Sequence, residues 1–158
     1  MHLNSNVFDI WVFRKLADEV EYLLLHCSQL KADRYFNGGR FWQIPSGVFA
    51  EGEGVVATID RKLAIHGIVA QSVWAAEHAY TIYNRRFEEI QIVSVFAALT
   101  TSDEIRLDPE EHAEYAWLSF DEALQRVHYR GLKDGLRSTR EYVSGPASPR
   151  PELCLMQG

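Results

Sequence analysis

The stretch Phe41-Trp42-Gln43-Ile44-Pro45-Ser46-Gly47-Val48-Phe49-Ala50-Glu51-Gly52-Glu53-Gly54, continuing through Val55 to Gly67, decides the fold. Phe41 to Ile44 reads as a short strand that stops at Pro45, which has no N–H to offer a ladder. Three glycines between Pro45 and Gly54 make that backbone bend repeatedly. The period then changes. Val56, Ile59 and Leu63 fall at i, i+3 and i+7, and Val55 and Ile59 at i and i+4, so Gly54 to His66 reads as a helix with one apolar face. Glu53 favours the positive end of its dipole, and Gly67 supplies a C′ stop.

Working outward, Val7 to Phe13 and Glu19 to Cys27 are rich in β-branched and aromatic residues and read as strands. Lys31 to Arg40 reads as a loop turning at Asn37-Gly38-Gly39. Ser72 to Tyr83 and Glu89 to Leu99 are strands with Asn84-Arg85-Arg86 between them. Glu104 to Leu107 is expected to add a short strand, and Tyr115 to Leu118 another. Ser119-Phe120-Asp121-Glu122 matches a capping box and opens a helix to about His128. Lys133 to Val143 is the last helix. Residues 1–143 therefore read as one α/β domain with helices on the faces of a mixed sheet. Residues 144–158, with three of the five prolines, are expected to be a loosely held tail.

The chain's 158 residues suit a single domain that buries its own core. Its 22 acidic and 16 basic residues give a net charge of −6, which argues against a nucleic-acid polymer as partner. A small anion needs only a local positive spot. Cys27 and Cys154 fit no metal or redox spacing and read as free thiols in a reducing cytoplasm. The apolar runs, such as Ile92 to Leu99, fall well short of a membrane span.

The run from Phe41-Trp42-Gln43-Ile44-Pro45-Ser46-Gly47 to Gly52-Glu53 resembles the signature of the Nudix hydrolases, G-x5-E-x7-R-E-U-x-E-E-x-G-U, where U is a bulky aliphatic. Five residues separate Gly47 from Glu53, seven separate Glu53 from Arg61, and Leu63 fills the aliphatic slot. The flanking strands, and Glu110 to Leu118 before a capped helix, follow the family's order. The likeness spans roughly residues 5 to 143 and is strongest to the branch acting on dihydroneopterin triphosphate and other nucleoside triphosphates. It implies a Nudix-type α/β/α sandwich with a mixed β-sheet. It also implies pyrophosphohydrolase chemistry, in which helix carboxylates hold Mg²⁺ that bridges phosphates and activates water.

The right half of the signature departs from the pattern. Lys62 stands where the family has glutamate, and Ile65 and His66, or Ala64 and Ile65 in the register that fits Gly67, stand at the glutamate pair. Glu53 is the box carboxylate in place. By resemblance it is the expected metal ligand and a catalytic residue, for a magnesium bound weakly or carried in on substrate phosphates. Glu110, Glu111 and Glu114 occupy the loop where relatives supply a general base, and Glu111 is the candidate. Lys62 and His66, four apart on one helix face, and Arg61 are candidate phosphate contacts, although the resemblance also implies that Arg61 braces Glu53.

For a heterocycle, Phe41 and Trp42 are the base-stacking candidates, with Phe36, Trp74 and Tyr83 behind them. Arg34, Arg85 and Arg86 are loop arginines within reach of phosphates. Two functions stay open: hydrolysis of a nucleoside or pterin triphosphate, or a binding module that keeps the pocket without the chemistry. A homodimer is one assembly the resemblance allows, with Trp11 or the strand Ile92–Leu99 as its face.

Overall fold

The computed structural model describes residues 1–158. It contains one eight-stranded sheet and four α-helices. The strands are β1 (His2–Lys15), β2 (Val20–Cys27), β3 (Trp42–Gln43), β4 (Ser46–Val48), β5 (Ala70–Asn84), β6 (Glu89–Thr100), β7 (His112–Leu118) and β8 (Cys154–Gln157). The helices are α1 (Gln29–Tyr35), α2 (Val55–Ile65), α3 (Phe120–Arg126) and α4 (Arg130–Thr139), the last running into a π-turn at Arg140–Ser144. The main order is β3-β2-β1-β6-β5-β8, with β4 on β1 and β7 on β2. Only β1 and β6 run parallel, through pairs such as Phe8↔Ser94 and Phe13↔Leu99.

Strand β1 is central because Phe8 to Phe13 is buried without interruption. A strand covered on both faces lacks polar alternation. Phe8, Ile10 and Val12 pack with Ile59 and Leu63 of α2 on one face. On the other, Trp11 and Phe13 join Tyr22 and Leu24 against Ala123, Leu136 and Val143 from the C-terminal helices. This is the α/β/α sandwich the sequence predicts. The Ile59 and Leu63 stripe of α2 points into the core as its spacing requires, while Val55 stays exposed.

Glycines fix two close approaches. Gly67 (φ +72°) closes α2: its N–H donates to the Ala64 carbonyl and that of Ile68 to the Leu63 carbonyl, both at 3.0 Å. That is the Schellman pattern, in which a left-handed residue satisfies the last carbonyls. At Gly131 the backbone of α4 lies flat on Tyr80, where a Cβ would meet the ring at 2.4 Å.

Four expectations need correction. The loop over Lys31 to Arg40 begins as helix α1, which Ser28 caps by accepting from the Lys31 N–H at 3.0 Å. It escapes periodicity because Ala32 is its only buried residue. Glu104 to Leu107 is not a strand; one backbone bond, Arg106 N–H to the His66 carbonyl at 2.8 Å, ties it down while Ile105 buries. Residues 144–158 are not a loose tail. Ser144 is buried, 2.6 Å from the Tyr22 hydroxyl, and β8 pairs with β5 through Ser72↔Gln157, Val73↔Met156 and Trp74↔Cys154. The prolines end before Cys154, and Leu153, Cys154 and Met156 then pack against the two cores, covering an otherwise open sheet edge.

The fourth correction concerns the dimer face. Trp11 is fully buried and strand Ile92–Leu99 lies inside β6, between β1 and β5. Trp11 therefore offers no face to a second copy, whereas Ile92 on β6 is exposed. No helix is long and apolar enough to cross a membrane.

Candidate functional site

The left half of the signature is a brace. A Cβ at Gly47, in the middle of β4, would come within 2.9 Å of the ring of Phe8, its partner on β1, so that position on the strand suits only glycine. The loop ends at Glu53, and the helix reaches back to it. Thr58 donates its hydroxyl to Glu53 Oε1 at 2.6 Å, and Arg61 donates Nη2 to Oε1 at 3.0 Å and Nε to Oε2 at 3.1 Å. Both carboxylate oxygens are engaged. Hydrogen bonds from Arg61 and then Thr58 hold the Glu53 carboxyl down at about 2. Arg61, the same pairing seen from its other end, is committed to the loop.

Lys62 and His66 lie on one face of α2, as their spacing predicts. Lys62 is half-buried and makes no ion pair. Burial pushes its ammonium below the ordinary range; Glu111 opposes that effect, while Lys31 and Arg61 add to it. Glu111 itself is bound to Lys31, Oε2 to Nζ at 2.9 Å, and that bond holds its carboxyl low. His66 is only 6% exposed, with Nδ1 3.0 Å from the Arg106 carbonyl oxygen. Its ring lies 6.1 Å from that of His112, a residue beside Glu111 that sequence reasoning left aside. Burial lowers both imidazoles. His112 reaches about 4, with Lys31, His66 and Lys62 adding to the effect and Glu111 opposing it.

This set does not fit a resident magnesium ion. Mg²⁺ takes hard oxygen donors in an octahedron. Along α2, the positions that would supply them hold an ammonium, an imidazole and apolar side chains, while Glu53 is consumed by Thr58 and Arg61. An ammonium a few ångströms away repels a divalent ion by several kcal/mol at protein-surface dielectric, on the order of 4 kcal/mol per pair of unit charges at 4 Å. No step through magnesium is derived for this helix.

A cavity of about 450 Å³ opens on the opposite face of β2 from α2, the face bearing Leu24 and His26. Phe36, Phe41 and Tyr129 form its ring wall, with Phe41 edge-on to Phe36 at 5.1 Å and to Tyr129 at 5.3 Å. Arg40, Arg85 and Arg126 line it as well, and no carboxylate does. Trp42 is already engaged, stacked on His26 at 4.4 Å with the Arg126 guanidinium 4.9 Å from its ring centroid. Of the two base-stacking candidates, Phe41 is therefore the freer. Arg40 is held by the Cys27 carbonyl at 2.8 Å, and His26 Nδ1 is 3.0 Å from Glu114.

Helix α1 joins the two regions. It carries Lys31 toward Glu111 and ends at Phe36 in the cavity wall, and its Ser28 cap donates to the Glu110 carbonyl at 2.6 Å. The β5–β6 turn docks on it: the Arg86 guanidinium sits 3.9 Å over the Tyr35 ring while Arg85 faces the cavity. Arg34 lies 6.0 Å from the same ring. Trp74 donates to Ser72 and Tyr83 is half-exposed; neither lines the cavity. Arg126 at the end of α3, and His128 and Tyr129 just after it, were missed by sequence reasoning, and the basic and aromatic run from Arg126 to Arg130 was the available signal.

No family model matches the chain, and no curated protein matches it. Among solved structures it is similar to a Nudix hydrolase from Listeria monocytogenes at 19% identity, with 87% of this chain and 93% of the other covered and a TM-score of 0.71. It is similar to the Nudix domain of Shewanella oneidensis NrtR complexed with ADP ribose, at 19% identity, 89% and 87% coverage and a TM-score of 0.65. A third is the Escherichia coli dihydroneopterin triphosphate pyrophosphohydrolase, at 13% identity, 90% and 99% coverage and a TM-score of 0.63. These likenesses show that the chain has the Nudix hydrolase fold. They spread over proteins with different ligands, so the pterin triphosphate branch is one neighbour among several.

Proposed function

We propose that this protein binds a nucleotide-like phosphoanhydride ligand on a Nudix fold without a magnesium ion resident on its box helix. The heterocycle stacks in the ring-walled cavity, against Phe41 and Tyr129, and the arginines there meet the phosphates. The observation that carries this reading is the exchange of charge on α2. Lys62 and His66 occupy the face that would bear carboxylates, and Glu53 braces Arg61 instead of facing a ligand. A cavity with three guanidinium groups and no acid suits a polyanion as strongly as it disfavours a cation. A structure of the same fold solved with ADP ribose supports the ligand class.

Calorimetry with ADP, ATP and ADP-ribose, each with Mg²⁺ and with EDTA, tests the reading, together with phosphate release in the same tubes. Binding that survives EDTA and weakens about tenfold or more in Arg126→Ala is the expected result. Magnesium-dependent turnover that disappears in Glu53→Gln would overturn it in favour of hydrolysis with a metal brought in on the substrate.

A further inference from the structure

The residues that fail to fit a cation on α2 fit an anion, and in a way that involves protons. Lys62 is a half-buried ammonium with no hydrogen-bond or ion-pair partner in the protein. The one acid that bears on it, Glu111, is taken by Lys31 at 2.9 Å. His66 is nearly enclosed, and the Arg106 carbonyl, 3.0 Å from Nδ1, fixes that nitrogen as the N–H donor. The neutral ring therefore presents a bare lone pair at Nε2, which repels an anion until it is protonated. His112 Nδ1 is buried with no partner at all, and its ring stands 6.1 Å from that of His66. An ammonium without a counter-ion beside two under-bonded imidazoles is an incomplete arrangement, and a phosphate-type dianion completes it.

We infer that Lys62, His66 and His112 form a proton-coupled binding site for a phosphate-type dianion, on the face of the sheet opposite the ring-walled cavity. The anion accepts from the Lys62 ammonium, and the two imidazoles take up protons from solvent as it binds. No bond to phosphorus forms or breaks. The other charged groups facing the pair are Lys31 from α1, which opposes protonation of His112, and Glu111 from the loop before β7, which favours it. With Lys62 in place and no anion, both imidazoles are neutral at pH 7. A dianion beside them reverses the local field, so affinity rises as the pH falls, tenfold per pH unit for each proton taken up.

Sulfate is the probe, because it stays a dianion from pH 5.5 to 7.5 and any pH dependence belongs to the protein. Titration of the intact chain is expected to show affinity rising at least threefold per unit from pH 7.5 to 5.5, and up to a hundredfold where both imidazoles take up a full proton. The imidazole resonances of His66 and His112 are expected to titrate at higher pH with sulfate than without. Lys62→Met should weaken sulfate at least tenfold at every pH, and His112→Gln should flatten the pH slope. The resonance shift is read on wild type, so the test stands even where a variant fails to fold. Sulfate affinity independent of pH, or imidazoles that titrate identically with and without it, would overturn the site. The ring-walled cavity lies on the opposite face of the sheet, so ADP and sulfate are expected to bind independently, and displacement of one by the other would overturn the assignment of a separate anion site while leaving the reading of the cavity to its own experiment.

Discussion

Replacing Lys62 with methionine should stabilise the protein while removing its anion site. The ammonium is half-buried, has no partner, and stands among Lys31 and Arg61 with only a shared Glu111 opposing them. Methionine keeps the length of the aliphatic stem, whose Cδ lies 3.6 Å from the position a Gly47 Cβ would take, and removes the desolvated charge. Trading an uncompensated buried charge for an apolar group of similar volume gains about 1–4 kcal/mol. Half-exposure screens part of that, so about 1 kcal/mol is expected, a rise of roughly 2–4 °C in Tm for a domain of this size.

The pH profile makes the test sharper. The folded-state pKa of Lys62 lies below its unfolded value, so between the two the unfolded chain binds more protons. Wild-type stability therefore rises with pH on approaching the unfolded value of about 10.4, and the variant lacks that rise. Urea unfolding of both proteins at pH 7 and pH 10 measures this. A variant less stable than wild type at pH 7, or a gap that does not narrow at pH 10, would show that the ammonium is paired and refute the reasoning.

Other outcomes follow from the same structure. Gly131→Ala forces a methyl into the Tyr80 ring at 2.4 Å and should cost about 1–3 kcal/mol in urea unfolding, as overpacking does. Asp9, almost wholly buried and bonded to the Tyr80 hydroxyl, has its carboxyl pushed up to about 6 by burial. Its folded-state pKa is raised, so it withdraws roughly 3 kcal/mol of stability between pH 4 and pH 6, and Asp9→Asn should flatten that part of the profile. Glu53 is the opposite case. With its carboxyl held at about 2, its support is present at neutral pH and lost as pH falls from about 4.5 toward 2, so the stability difference between wild type and Glu53→Gln should close over that window. Removing residues 154–158 exposes the β5 edge and should lower Tm by several degrees and raise light scattering.

Much of the fold is written locally. The capping box at Ser119, where the hydroxyl accepts from the Glu122 N–H, the stripe of Ile59 and Leu63, and the stop at Gly67 each act within a few residues, and each forms where the spacing places it. What the spacing does not reveal depends on partners distant in sequence. α1 exists because Ser28 caps it and the loop at Glu110 receives that cap, a contact spanning 82 residues. β8 exists because β5 has a free edge. The candidate site divides in the same way. The pair Glu53 and Arg61 is legible from a seven-residue interval, whereas the cavity draws Arg40 and Arg85 from two loops and Arg126 from the end of α3, and His112 becomes visible only when β7 lies beside β2.

The two halves of the signature do separable jobs. Gly47, Glu53, Thr58 and Arg61 determine where the loop meets the helix, and their contacts are steric or hydrogen-bonded to one another. Nothing in them needs a metal to hold its shape, since Arg61 already supplies the positive charge that Glu53 requires. The face one turn further along makes no hydrogen bond to the brace; its own structural contact runs from His66 to the Arg106 carbonyl. Leu63 and Ile59 anchor the helix from the other side, so Lys62 and His66 can reverse the sign of the site without disturbing the brace. A scaffold built in this way tolerates a change in the charge of its ligand contacts at little cost in stability, and it is the charge, more than the fold, that selects between a divalent cation and a phosphate.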